Sequence, residues 1–444
     1  MNNDITMQMI GINDPNITYD DNTNQYDKVK SNGTTTVVWN LKLTYPKTCE
    51  NCGILMNNNG FKKVSYKGPT TAAGLTTIKI KKQKYICKKC KSTAIAILND
   101  VNKYDHILRV VKVQAALDYS TSSSVKEIAN RYEISSNTVM RQAKGLASYH
   151  KIGYHYIPKN IAFDDFKSGK MSPSGMSMAL MNSDNRQLID IIQSRQGNFL
   201  ESYFLRYSLS ARLAVKTVTV DLFSPYRGLI KRVFPNAQII ADRFHIINRV
   251  YVALNQERIK LMNYFGSGTP EYRQLKNLYK LLFKKENELD YKIYKTRRNF
   301  KYALLSDKEV VRRLLSLSPS LRDAYEYYQD LTYIVTVSHD EGALEYILNP
   351  NKTDKQYPNL PKTMKKARKT LKKHKEEIIN SFKYSFSNGP LEGINNKIKV
   401  INRTAYGYRN FSNFRLRILS SFSNTYFSMT YNKKATELIE NSVA

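Results

Sequence analysis

A few acids, one histidine and four cysteines hold the chemistry this chain could do. The apolar run Ile161-Ala162-Phe163 leads into Asp164-Asp165, and Val218-Thr219-Val220 leads into Asp221. Both runs read as strands ending in carboxylates, and the strand ends of an open α/β sheet are where ligands and metals usually sit. Far downstream, Glu392 follows Asn388-Gly389-Pro390 at the start of a helix-like segment. It is the only Asp or Glu between Glu377 and Glu437, in a stretch otherwise filled with Lys and Arg. Carboxylates from two neighbouring strands plus one from a later helix could hold two divalent cations about 3.5–4 Å apart. Such a pair activates a water or a 3′-hydroxyl and stabilises a phosphorane-like transition state. Each acid alone has a plainer use: a strand-end Asp serves in a turn or cap, and a helix-initial Glu favours the macrodipole. Three in this order shift the balance toward metal.

Asp242 and His245 form an accessory pair in Ala-Asp-Arg-Phe-His, where a strand gives way to a helix. The pair could order a phosphodiester or move a proton; the plainer reading is an N-cap Asp with a packed His three residues on. Cys49-x-x-Cys52 and Cys87-x-x-Cys90 each end a run of alternating apolar and polar residues. Four thiolates converging from two CxxC turns predict one structural zinc in a zinc ribbon. A thioredoxin-like redox pair would use one CxxC at the start of a helix and leave the second unexplained.

The segment from Ser122 to Tyr149 reads as a helix-turn-helix. Val125, Ile128 and Ala129 form one apolar face, Tyr132-Glu133-Ile134 the turn, and Ser135 or Ser136 the cap of a second helix with Val139 and Leu146 inward. Ser136, Asn137, Thr138, Arg141, Gln142 and Lys144 are then left to read a DNA groove. The formal net charge of +33 over 444 residues, with 70 Lys+Arg against 37 Asp+Glu, favours a polyanionic partner. Part of the Lys content also fits an AT-rich genome. The Lys-rich run from Lys362 to Glu377 reads as a solvated helix face with phosphate contact in addition. Some of the abundant tyrosines could stack on unpaired bases. No Arg-His-Arg framework surrounds any Tyr, which disfavours a tyrosine recombinase.

No signal-peptide pattern and no apolar run of membrane-spanning length occur, so a cytoplasmic, nucleoid-associated protein without membrane contact is expected. Hydrophobic residues at 41% suffice for a real core, and the length suits several domains. The expected fold class is multidomain α+β and α/β. The organisation reads as a polar, loosely ordered lead (1–35), a zinc ribbon (36–98) and a helix-turn-helix domain (99–150). A β-rich core (151–245), a long helical block (246–386) and a final part with the Glu392 helix (387–444) follow.

The run VTVDLFSPYRGLIKRVFPNAQIIADRFHIINRV, together with NGPLEGINNKIK, resembles bacterial insertion-sequence transposases of the ISL-three type. The rest agrees in order: a short lead (IGINDPNI), two CxxC pairs, a helix-turn-helix and an early acidic site (FDDF). The resemblance implies a DDE transposase whose RNase H-like catalytic core is interrupted by the helical block. Its catalytic acids would be Asp164, Asp221 and Glu392, with two Mg²⁺ or Mn²⁺ ions. The family more often shows Asp-Glu where this chain has Asp164-Asp165, leaving two candidates for the first acid. Implied partners are double-stranded DNA (terminal inverted repeats and target) and a second copy of the chain as a homodimer on DNA. Lys397, Lys399, Arg403 and Arg409 around Glu392 would face the DNA backbone. The rival from another class is a DNA-binding regulator that keeps the fold without cleaving.

Overall fold

The computed structural model describes residues 5–31, 33–121, 123–146, 152–350 and 356–422. The chain forms two units: residues 1–152 with 396–444, and residues 153–395.

The first unit is built on a six-stranded sheet. Its strands are β1 (Ile17–Tyr19), β2 (Tyr26–Ser31), β3 (Thr34–Leu43), β4 (Asn57–Lys67), β5 (Leu75–Ile86) and β6 (Thr93–Ile95). The order is β1-β3-β5-β4, with β2 also along β3 and β6 along β5. The long strands β3 and β5 fall on the two alternating runs of the sequence and pair in parallel. The polar lead is more ordered than its composition suggested. Helix α1 (Ile5–Met9) precedes β1, and β1 and β2 both pair antiparallel with β3. Met7, Ile10, Ile12 and Ile17 are buried, so the short apolar patch there is a core contribution.

Three helices follow: α2 (Arg109–Asp118), α3 (Val125–Arg131) and α4 (Ser136–Leu146). A reciprocal capping box between Ser124 and Glu127 starts α3. Ser135 Oγ accepts the Thr138 N–H at 3.1 Å, so Ser135 caps α4. Glu133 takes the left-handed conformation (φ 52°) in the turn between them. Ile128, Ala129 and Val139 are buried as expected, whereas the side chain of Leu146 lies outside the described residues. Asp118 ties the helices together, accepting from Tyr132 Oη at 2.8 Å and Arg131 Nη1 at 2.7 Å.

Of the described residues, 396–422 cluster with this first unit, although the order of motifs along the chain suggested that everything after 387 belongs to the β-rich core. The physical reason lies in α16 (Phe411–Ser421). Tyr119 Oη donates to Asn413 O at 3.2 Å, and the buried Arg417 guanidinium donates to the carbonyls of Thr121 and Ser123.

The second unit holds a five-stranded sheet of β7 (Asn160–Lys167), β8 (Met176–Asn182), β9 (Leu188–Ile192), β10 (Thr217–Val220) and β11 (Gln238–Ala241). Its order is β11-β10-β7-β8-β9. β7, β8 and β9 form an antiparallel meander, while β10 and β11 are parallel to β7. All four residues of β10 are buried, as expected of a parallel strand covered on both faces. Helices α5 (Gly197–Phe204), α6 (Leu209–Leu213) and α7 (Ser224–Val233) link β9 to β11 around β10. Phe163, Phe204, Tyr226 and Phe234 pack ring against ring on one face of the sheet.

The 23-residue α8 (Arg243–Phe265) opens the helical block. It continues with α9 (Pro270–Asn277), the small hairpin β12 (Lys295–Arg297) and β13 (Ala303–Leu305), α10 (Asp307–Leu315), α11 (Pro319–Tyr333), α12 (Glu341–Leu348), α13 (Lys362–Lys373) and α14 (Lys375–Lys383). These helices share one apolar core, which also takes in Leu222 and Ala241 beside the sheet. On α13, Met364, Ala367 and Leu371 are buried, while Lys365, Lys366, Lys369 and Lys372 face solvent. α14 returns the chain to the sheet edge, where Asn380 Nδ2 donates to Ile239 O at 2.9 Å. α15 (Gly389–Thr404) follows directly. Among the described residues no helix is long and apolar enough to cross a membrane.

Candidate metal centres

The register of the parallel strands builds the first site. Asn160 pairs with Thr217 and Ala162 with Thr219, so the next step along both strands sets Asp164 beside Asp221. Val220 pairs with Ala241, and one further step sets Asp221 beside Asp242. Asp221 does end its strand. Asp164 sits inside β7, because that strand runs on to Lys167 against β8, with Asp164 opposite Ala179.

Successive strand residues point to opposite faces, and this separates Asp164 from Asp165. Asp165 Oδ2 is 2.6 Å from Arg195 Nη1. Asp164 instead joins Asp221 and His245, whose ligand atoms all lie within 4.8 Å of one another. His245 Nε2 is 2.7 Å from Asp221 Oδ1 and 3.9 Å from Asp242 Oδ2. Asp242 makes no cap hydrogen bond to α8; its Oδ1 accepts the Asn388 N–H at 3.3 Å. Asp242 therefore occupies the N-cap position of α8, as the plainer reading has it, with its carboxylate turned to Asn388.

Burial pushes the Asp164 carboxyl up to about 7, and the charges of Asp221 and Asp165 push the same way. Burial raises Asp242 as well. For His245, burial acts downward, but the hydrogen bond and charge of Asp221, with Asp242 and Asp164, outweigh it and leave the pKa raised. The side-chain oxygens of Asn388 and Asn395 are buried without a hydrogen-bond partner. A cluster rich in buried oxygen acceptors and short of positive charge fits a hard divalent cation.

Glu392 is exposed and lies outside that 4.8 Å group. Its helix nevertheless touches the site on both sides of it. The Asn388 N–H meets Asp242, and Asn395 Nδ2 donates to Asp164 Oδ2 at 2.9 Å. Glu392 lies three residues before Asn395, one helical turn from the side chain that meets Asp164. Asn388, Asn395 and Arg195 were not anticipated from the sequence. The two asparagines could have been found by following helical periodicity on from the Asn-Gly-Pro start.

Behind Asp221, Ser224 Oγ lies 3.3 Å from the buried His374 Nε2. Arg227 Nε is 2.6 Å from Glu377 Oε1, and its Nη1 donates to Lys373 O at 2.9 Å. These contacts fasten the segment after β10 to the junction of α13 and α14.

The second site is the cysteine cluster. Cys49, Cys52, Cys87 and Cys90 are all free thiols whose Sγ atoms lie within 4.8 Å of one another. The two CxxC turns have the same backbone. Gly53 N–H bonds to Cys49 O at 2.8 Å and Cys49 N–H to Ile54 O at 2.8 Å; Lys91 N–H bonds to Cys87 O at 3.0 Å and Cys87 N–H to Ser92 O at 2.9 Å. Gly53 (φ 68°) and Lys91 (φ 56°) hold the same left-handed position in each turn. Hydrogen bonding from the Ser92 side chain, above all, draws Cys90 down to about 6, toward the thiolate a metal takes. This donor set fits tetrahedral zinc.

Of the other predicted positions, Ser136, Asn137, Arg141 and Lys144 are exposed on α4, and Thr138 and Gln142 are half-buried. Lys399, Arg403 and Arg409 are exposed. Lys397 is already engaged, donating to Ser421 O with its ammonium 4.3 Å above the Phe422 ring.

Residues 161–418, more than half of the chain, match the transposase family DDE_Tnp_ISL3. The chain is 23% identical over 341 residues to a Bordetella parapertussis protein described as the transposase for insertion sequence element IS1001, covering 76% of this chain and 79% of that protein. It is 41% identical over 122 residues to a Lactococcus lactis subsp. lactis protein described as an ATP-dependent protease, covering 28% of this chain and 37% of that protein. No Gly-x-x-x-x-Gly-Lys-Ser/Thr phosphate loop occurs in the present sequence.

The raised Asp164 pKa has a consequence for stability. A carboxyl held near 7 when folded and near 3.8 when unfolded stabilises the fold only while protonated, and that contribution is lost as pH rises through about 7. In EDTA, Asp164→Asn should therefore melt above wild type at pH 8, with the gap closing toward pH 4. Mg²⁺ should raise the melting temperature of wild type at pH 8 and leave the variant unmoved. Parallel pH profiles in EDTA would contradict this assignment.

Proposed function

Because the chain belongs to the DDE_Tnp_ISL3 transposase family, we propose that it binds the terminal inverted repeats of its own insertion sequence and carries out metal-dependent DNA strand cleavage and strand transfer. The observation that carries this reading is the alignment of Asp164, Asp221 and Asp242 across three parallel strands, with His245 against Asp221. The strand order, with a meander followed by two parallel strands, supports an RNase H-like core.

Asp164 and Asp221, with Glu392 as third acid, would hold two Mg²⁺ or Mn²⁺ ions, which supply a more acidic water or 3′-hydroxyl and offset charge on the scissile phosphate. Asn395 orients Asp164 through Oδ2, and the Asn388 N–H fixes Asp242. His245, whose Nε2 is 2.7 Å from Asp221 Oδ1, would exchange a proton with a nucleophile or leaving group. The cysteine cluster would hold one structural zinc. Helices α3 and α4 would act as the helix-turn-helix reader, with the exposed residues of α4 in the groove. Cleaving both ends of one element requires two active sites, so the working form is a homodimer on DNA.

Glu392→Gln removes a charge with little change in volume, so it should abolish Mg²⁺-dependent nicking of a terminal-repeat oligonucleotide while leaving melting temperature and repeat affinity nearly intact. A helix-dipole role would instead cost about 0.3–1 kcal/mol of stability with cleavage preserved. A DNA-binding regulator would bind the repeat and nick nothing in either form. Replacing Asn137 and Arg141 with Ala should weaken binding to the repeat by about 1–3 kcal/mol for each base edge no longer read, with little effect on random duplex. Replacing Lys365 and Lys366 should weaken both duplexes alike and reduce the salt slope. An unchanged specific-to-random ratio for the α4 variant would remove that helix as reader.

A further inference from the structure

The hairpin within the helical block carries a surface that the cleavage site does not use. Between Asp290 and Asp307 the chain reads YKIYKTRRNFKYALLS and contains no acid. Its base is fixed to the unit around it. Arg297 donates to the Asp307 carboxylate, Gln274 Nε2 to Asn299 O at 2.9 Å, and the Arg313 guanidinium lies 5.7 Å from the Phe300 ring. Three of its rings face outward: Tyr291, Tyr294 and Tyr302 are 63%, 55% and 66% exposed. Lys292, Lys295 and Lys301 stand between them, all exposed. Lys301 (φ 53°) and Tyr302 (φ 63°) are successive non-glycine residues in the left-handed region, a conformation that clusters at ligand clamps.

We propose that this hairpin is a binding site for an unpaired DNA strand. Exposed rings interleaved with cations are what a single strand requires: each base stacks on a ring whatever its identity, and each phosphate meets an ammonium. A duplex hides its base faces and would use only the cations. A second copy of the chain would set these cations against their own kind, and no acid within the hairpin relieves that repulsion. The inference rests on the transposase reading for the origin of the strand, since cleavage at an element's end exposes unpaired bases.

The test is fluorescence anisotropy of the full chain in EDTA, with labelled oligo-dT and with the same strand annealed to oligo-dA, over a range of salt. Changing Tyr291, Tyr294 and Tyr302 together to Ala should weaken oligo-dT binding by about tenfold or more, with duplex binding and melting temperature held. Changing the same three to Phe should restore oligo-dT affinity, since stacking needs the ring and not the hydroxyl. Changing Lys292, Lys295 and Lys301 to Ala should reduce the salt slope for oligo-dT by about 0.7 for each phosphate no longer neutralised. The proposal is overturned if the Ala variant binds oligo-dT as wild type does, or weakens on single strand and duplex equally. It is equally overturned if the variant loses affinity only for anionic lipid vesicles or only self-association. None of these readings depends on nicking, so a chain that fails to cleave its terminal repeat would leave the oligo-dT result standing.

Discussion

Parallel strand register is the constraint on which this molecule depends. β7, β10 and β11 are paired so that continuing their registers brings Asp164, Asp221 and Asp242 side by side. Burial of a carboxyl among like charges disfavours the folded state, and the rise of Asp164 to about 7, driven first by burial and then by Asp221 and Asp165, records that cost. The sheet can maintain the arrangement because its strands are buried on both faces: the four residues of β10 are all inside, and Phe163 is locked among Phe204 and Tyr226. A slip of one residue would exchange Asp164 for Asp165 and send the first acid toward Arg195.

The helical block between β11 and α15 bears on the site through its two ends. At one end α8 starts immediately after Asp242 and presents His245 to Asp221. At the other, α14 docks on β11 through Asn380, and the chain enters α15 at Asn388, whose N–H meets Asp242. An excursion of well over a hundred residues is thereby closed back onto the carboxylates. α15 then supplies Asn395, whose Nδ2 donates to Asp164.

Much of this could be read from residue order. The alternating runs at 36–45 and 76–87, the strand-like runs from Asn160 to Ala241 and the two short amphipathic helices all occur where periodicity placed them, because each pattern encodes which face is buried. The convergence of four cysteines followed from spacing alone. Other features were not legible. Whether Asp164 or Asp165 faces its neighbours depends on pairing with β8 and β10, which no local pattern states. The ordered lead escaped notice because its polar residues mask two edge strands that β3 supports. Arg417 carried no sequence signal of its own, yet it is buried against the carbonyls of Thr121 and Ser123. Lys397, expected to face DNA, is held by Ser421 and Phe422. Long-range partners of single side chains are tertiary facts, and periodicity does not encode them.

The central claim is that the aligned acids form a site for divalent cations, and Mn²⁺ titration followed by electron paramagnetic resonance tests it most directly. At pH 8, wild-type protein should take up Mn²⁺ at the Asp164–Asp221 site. Asp221→Asn, which preserves shape but removes a charged ligand, should lose that uptake while its melting temperature in EDTA holds or rises. Equal Mn²⁺ uptake by wild type and Asp221→Asn would contradict the account.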